Sequence, residues 1–239
     1  MPALVVLGAR NLGGAILDRA LADGWSCAAI AQSDDTLEVV RGRGARAIRA
    51  DVLDPGDLER ALGEAAEALG GLDALVDAVS IARMGPGVTW GGGPIADASP
   101  EDFQVWASDV ARQAFLFLSA GARALRVHGG GTLVQVTNAT SLHPTPGSGL
   151  WSAAHHAMRA MTSSAAQELR SEGIHACLLA VDAPIDSPKS APRLAAEGIP
   201  PEGAVEMSEI ARAALFLAGQ GPRGVSYELR LTTLGARWT

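Results

Sequence analysis

The feature that most constrains this chain is a regular alternation along its length. Short apolar or β-branched runs are each followed by a longer stretch whose apolar residues recur at helical spacing. Strands are expected at Ala3–Leu7, Ser26–Ala31 and residues 45–50, 72–78, 132–137, 175–181 and 226–232. Helices are expected at residues 13–23, 34–43, Pro55–Leu69, 101–127, 150–171 and 208–218. Asp54 before Pro55 and Ser99 before Pro100 read as helix N-caps. Strands separated by helices pair in parallel through right-handed crossovers, so the expected fold is α/β: an open, doubly wound parallel sheet with helices on both faces. Ligands of such sheets lie beyond the carboxyl ends of the strands, where the strand order reverses. Two irregular stretches, residues 83–99 and 182–203, follow strand ends and belong over a ligand.

Bulk properties narrow the class further. A chain of 239 residues, 48% hydrophobic, fits one large domain spanning residues 1–239. A formal charge of −7 argues against nucleic acid and against an anionic membrane surface as partners. No apolar run reaches the roughly 18 residues of a membrane span, and the start, MPALVVLGAR, lacks the basic segment of a signal peptide. Cys27 and Cys177 each sit in a strand-like run and read as core thiols. A soluble cytoplasmic protein is expected.

The first strand runs directly into Gly8-Ala9-Arg10-Asn11-Leu12-Gly13-Gly14 and then a helix. Such a junction leaves helix N–H groups free to cradle a pyrophosphate; a tight turn that holds no ligand is the alternative. Asn11 stands where a glycine would permit positive φ, and Asn is the next most tolerant residue there. The run VLGARNLGGAI resembles the opening turn of the short-chain dehydrogenase/reductase (SDR) family, T-G-x-x-x-G-x-G, shortened by a residue. It is equally similar to the G-x-x-G-x-x-G turn of atypical members, with Asn11 for the middle glycine.

The resemblance continues over most of the chain and implies a Rossmann-type dinucleotide-binding domain. Gly8, Arg10, Asn11, Leu12 and Gly13 fall in the pyrophosphate turn, and Asp51-Val52 match the family's adenine-contacting pair. NAD-dependent relatives place a carboxylate at the end of the second strand to meet the ribose 2′-hydroxyl. Here that place holds Ala31, followed by Gln32, and Arg10 can reach a 2′-phosphate. The balance tips towards NADP over NAD, against which Asp34 and Asp35 stand close by; a site that binds neither stays open. Ile185 and Ser187 keep the spacing of the family's P-G-x-I-x-T segment, which holds the nicotinamide carboxamide.

The family's reductive chemistry rests on a tyrosine whose proton is made available by a lysine one helical turn later, a serine on the preceding strand end, and an asparagine in the long helix. A phenol becomes useful at neutral pH only beside a fixed positive charge. WSAAHHAMRAMTSSAAQEL is similar to the family's Y-S-A-S-K-x-A helix and puts Trp151 at the tyrosine and His155 at the lysine. The serine falls on Asn138, the helix asparagine on Val110, and the N-N-A-G turn becomes Asp77-Ala78-Val79-Ser80. Trp151 can stack on a ring but does not titrate; Asn138 can bond a carbonyl; His155 is the obvious acid–base candidate, unless it only fills space.

The remaining candidates are His143 and Asp182 or Asp186 in loops near that segment, and Trp90 among Gly91-Gly92-Gly93, as a pocket cap or a flexible flap. His128 reads as solvated, and His156 points away from His155, so no metal site is expected. Three functions stay open: an NADP(H)-dependent oxidoreductase with a non-standard proton donor, a non-catalytic dinucleotide sensor or silent hetero-oligomer partner, and an SDR-fold lyase or isomerase. The family's two long central helices commonly build subunit interfaces, which implies a homodimer or homotetramer.

Overall fold

A computed structural model describes residues 1–79 and 89–235. Ser80 of the N-N-A-G comparison and residues 83–88 of the first irregular stretch lie outside the described residues. In chain order the elements are β1 Ala3–Leu7, α1 Leu12–Ala22, β2 Ser26–Ala31, α2 Asp34–Gly42, β3 Arg46–Arg49, α3 Pro55–Leu69 and β4 Ala74–Asp77. They continue with α4 Pro100–Phe103, a π-helical turn Gln104–Ser108, α5 Asp109–Val127, β5 Gly131–Asn138, α6 Gly149–Glu168 and β6 Ile174–Val181. The chain then runs through β7 Ile185–Asp186, α7 Ala191–Ala196, β8 Val205–Glu206, α8 Met207–Ala218 and β9 Glu228–Leu231.

Seven strands form one parallel sheet in the order β3-β2-β1-β4-β5-β6-β9. Buried strands such as ALVVL and SCAAIA are apolar on both faces because both are covered by helices. One face packs Leu58, Leu75, Phe117 and Leu133 beneath α3 and α5; the other packs Ile16, Leu17, Val76 and Ile210 beneath α1 and α8. The order reverses between β1 and β4, so the crevice of such a sheet opens at their carboxyl ends. Cys27 and Cys177 are buried free thiols.

Both expected caps form. Asp54 accepts from the Asp57 N–H at 2.8 Å, and Ser99 and Asp102 close a reciprocal capping box. Two expectations change. The helix expected over residues 101–127 is interrupted by the π-turn, whose extra residue re-phases the helix and leaves Trp106 and Ala107 buried. The stretch 182–203 is less irregular than its prolines imply, since β7 pairs with β8 and α7 lies between them. Among the described residues, no helix is long and apolar enough to cross a membrane.

Candidate functional site

The turn after β1 is built without side chains where it matters. Gly8 sits at φ 78°, and a Cβ on it would lie 3.0 Å from the Cα of Val79 and 3.1 Å from the Ala78 carbonyl oxygen. A Cβ on Gly13 would fall 1.7 Å from the Gly8 carbonyl oxygen, so α1 can start this close only with glycine there. The expectation for Asn11 is corrected: it is the N-cap of α1 at φ −112°, and the positive φ belongs to Gly8. Asn11 therefore needs no left-handed backbone, and its side chain makes no capping bond to the first turn. Leu12, the first helical residue, packs partly into the core. An α-helix begins at a glycine turn with its amides uncapped by a side chain, an arrangement that fits a pyrophosphate.

Beyond the end of β2, Arg10 donates to Ser33 Oγ at 3.0 Å and to Thr36 Oγ1 at 3.2 Å. Ala31 closes the strand without a carboxylate, and Asp34 is ion-paired with Arg49. Gln32 Nε2 donates to Asp51 Oδ2 at 3.2 Å, and Asp51 Oδ1 accepts from the Leu53 N–H at 3.0 Å. Val52 is buried beside it. At the far end, Ile185 is half-buried and Ser187 Oγ bonds Ser190 Oγ at 2.7 Å. Asp182 is ion-paired with Arg230, which also approaches His143 Nε2 at 3.5 Å, whereas Asp186 is exposed.

Three of the residues expected from the motif spacing, Asn138, Trp151 and His155, meet at the carboxyl end of β5. Asn138 Oδ1 accepts from the Thr140 N–H at 2.9 Å and from Thr140 Oγ1 at 2.6 Å. That orients the amide, so Nδ2 is the atom that donates to His155 Nε2, at 2.9 Å. Nε2 then has to be the acceptor nitrogen, which puts the ring proton on Nδ1, where it is donated to the Trp151 carbonyl oxygen at 2.8 Å. Burial pushes the His155 pKa down to about 4; the bond to Trp151 opposes this shift and nearby His156 adds to it. The imidazole is thus neutral and has both nitrogens engaged.

Trp151 lies over His155, ring centroids 4.1 Å apart. Its indole also meets Trp106 at 5.3 Å, edge to face, and Trp90 at 6.0 Å; Trp90 and Trp106 are 5.4 Å apart. Val110 is buried with Ala154 and Met158, and Trp151 packs against that cluster. The three-glycine turn is no flap. Gly91, Gly92 and Gly93 all have positive φ, and Cβ atoms on the first two would collide with Ser148 and Leu150 at 2.8 and 2.7 Å. Glycine lets this turn press on the start of α6 and hold Trp90 over Trp151.

Sequence reasoning missed Trp106 as part of this wall, and missed a buried polar cluster behind it. Asp77, at the end of β4, accepts from Gln113 Nε2 (3.0 Å), Gln135 Nε2 (2.6 Å) and the Val79 N–H (3.1 Å). Burial raises its pKa to about 6, against the lowering effect of those three bonds. An acidic residue ending the apolar run ALVD was the available signal. Tyr227, the one tyrosine, precedes β9, and its carbonyl bonds Leu178 in the middle of β6. Asn138 is level with Val181 and Tyr227 lies four residues back in the register, so Tyr227 stands about 13 Å along the sheet from the site.

The family model described as enoyl-(acyl carrier protein) reductase matches residues 6–228. The chain is 28% identical over 232 residues to 2-(R)-hydroxypropyl-CoM dehydrogenase of Xanthobacter autotrophicus, covering 90% of each protein. It is 31% identical over 203 residues to an NADPH-dependent aldehyde reductase-like chloroplastic protein of Arabidopsis thaliana, covering 80% of this chain and 72% of that one. In fold it matches a short-chain type dehydrogenase/reductase from Mycobacterium ulcerans with TM-score 0.85 at 17% identity, covering 96% of this chain and 87% of that one. With the glycine turn, the strands from β2 to β8 and the β5–α6 site all inside the matched range, the chain belongs to the short-chain dehydrogenase/reductase family.

Proposed function

We propose that this chain is an NADP(H)-binding oxidoreductase of SDR type that runs its hydride chemistry without a side-chain acid. The observation that carries this reading is the hydrogen-bond chain Thr140–Asn138–His155–Trp151, which occupies both imidazole nitrogens. An imidazole held neutral, with its acceptor nitrogen taken, has no proton to give near neutrality, and an indole has none either. Asn138 Nδ2 carries a second N–H, which at the family's serine position can polarise a substrate carbonyl oxygen. The dinucleotide, when bound, supplies the hydride to the carbonyl carbon. The resulting alkoxide then takes its proton from water, which leaves as hydroxide. Losing a placed general acid costs on the order of 10²–10⁴-fold, so turnover of simple ketones falls that far below an SDR with Tyr and Lys in place.

The preference for NADP(H) rests on Arg10, held beside Ser33 and Thr36, and on the absence of a carboxylate at Ala31. Gly8, Asn11, Leu12 and Gly13 would take the pyrophosphate, Gln32, Asp51 and Val52 the adenosine end, and Ile185 and Ser187 the nicotinamide end. Two buried free thiols fit a cytoplasmic protein, and the exposed ring of Phe115 on α5 fits a homodimer or homotetramer. The test is calorimetric titration with NADPH and NADH, followed by NADPH oxidation against a panel of carbonyl compounds. Tight NADPH binding with slow oxidation supports the reading, and no binding at millimolar cofactor overturns it. Binding with no hydride transfer to any probe points instead to a dinucleotide sensor or silent subunit. Conversion of a ligand without NADPH consumption points to a lyase or isomerase.

A further inference from the structure

Trp90 is a large apolar ring left 57% exposed, yet the chain spends three consecutive left-handed glycines and a buried carboxylate to keep it in place. Asp102 Oδ1 accepts from the Thr89 N–H at 2.9 Å, while its other oxygen takes the Ser99 N–H and hydroxyl. An exposed indole that served only as filler would not need pinning from both sides. Its neighbour Trp106 is 1% exposed, and among the described residues its Nε1 has no hydrogen-bond acceptor. A buried donor left unpaired costs stability, so an acceptor brought to it by a ligand would be favourable.

From these two independent observations we infer that Trp90, Trp106 and Trp151 form a recognition wall for a flat, uncharged, aromatic carbonyl compound. This deepens the reading above and rests on it for the carbonyl. The π-faces of Trp90 and Trp151 offer stacking surface to a planar ring and little to a saturated one of equal size. The unpaired Trp106 N–H calls for an oxygen acceptor rather than a hydrocarbon. Among the described residues of this wall, charge on the ligand finds no partner. His155 is neutral with both nitrogens bonded, Asn138 is an amide, and the oxygens of Asp102 are taken up by three donors of the chain itself. A cation would be drawn to the indole faces alone, without the carboxylate that usually completes such a site.

The experiment compares acetophenone with cyclohexyl methyl ketone, which share a carbon skeleton and differ in ring flatness. Trimethylphenylammonium serves as the cationic probe. Binding is measured by titration calorimetry and tryptophan fluorescence on the full chain, with and without NADP⁺. Acetophenone is expected to bind on the order of tenfold more tightly than the saturated ketone. Trp90→Ala should erase that difference, Trp90→Phe should retain most of it, and NADP⁺ affinity should be the same in both variants. Trp106→Phe should weaken acetophenone binding while the fluorescence of a stacked ligand persists. Equal affinities for the two ketones, no effect of Trp90→Ala, or tighter binding of the cation would each overturn the inference. Failure of the functional reading looks different: acetophenone then binds through Trp90, but NADPH is neither bound nor oxidised.

Discussion

Two buried titratable groups at the site shift in opposite senses, and each gives a measurable pH dependence. Asp77 holds its proton more tightly in the folded chain, with a pKa of about 6 against 3.8. Its contribution to stability is therefore complete below about pH 4, falls through the interval up to pH 6 and is lost above it. A shift of this size is worth about 3 kcal/mol. Asp77→Asn removes the buried charge while keeping an acceptor for the Val79 N–H. The variant should be more stable than the parent at pH 7.5 by on the order of 1–3 kcal/mol in urea unfolding, and the gap should narrow as the pH falls and close below about pH 4. An equal gap at both pH values would refute the assignment. His155 runs the other way. Its pKa is lowered towards 4, so its contribution is present above pH 6.5 and is lost as the pH falls. Nitrogen-15 shifts of His155 should report the Nδ1–H tautomer, unchanged between pH 5.5 and 8. Titration inside that window would mean the Asn138–His155 bond is broken in solution.

At the level of elements, the glycine turn and the three-glycine turn make the same physical demand, close backbone approach, for different ends. Gly13→Ala puts a methyl 1.7 Å from the Gly8 carbonyl oxygen, so α1 must move off the turn. NADPH affinity should drop more than tenfold, while Arg10→Ala should weaken NADPH by a similar factor and leave NADH nearly unchanged. Equal losses for both cofactors in the Arg10 variant would remove the 2′-phosphate assignment. The order of strands and helices was legible from periodicity: the expected β1, β2 and α3 match the observed bounds, and most other ends shift by one to three residues. The π-turn at Gln104–Ser108 was not legible, because helical spacing persists on both sides of it. It forms where burying Trp106 against Trp90 and Trp151 outweighs regular hydrogen bonding.

For the molecule as a whole, Val110, Asn138, Trp151 and His155, the positions matched by spacing to the family's catalytic set, are packed as one unit. Trp151 touches Trp90, Trp106, His155 and the Val110 cluster at once. A quadruple variant, Trp151→Tyr, His155→Lys, Asn138→Ser and Val110→Asn, should gain little ketone reductase activity, because the phenol would stand in a pocket shaped for an indole. Recovery to the rate of an ordinary SDR would show that only the proton machinery had been lost. The outer face of α5 carries Phe115, 54% exposed, and α6 exposes small residues such as Ala153 and Ala160. Phe115→Asp should move the protein to a smaller species in light scattering; an unchanged mass would place the subunit contact elsewhere.

The amino-acid sequence by itself determined the parallel doubly wound sheet and the position of the glycine turn, and it singled out Val110, Asn138, Trp151 and His155 as candidates, since periodicity, turn chemistry and motif spacing are local properties of the chain. Tertiary structure decided what those residues do. Burial keeps the imidazole neutral, and which nitrogen then carries the proton depends on Asn138, a residue 17 positions away. Whether a carboxyl stays charged depends on burial, which opposes charge, against the bonds from Gln113 and Gln135, 36 and 58 positions away. An isolated tryptophan becomes part of an aromatic wall only when a glycine turn, a π-turn and a helix start converge, and no local pattern in the chain encodes that meeting.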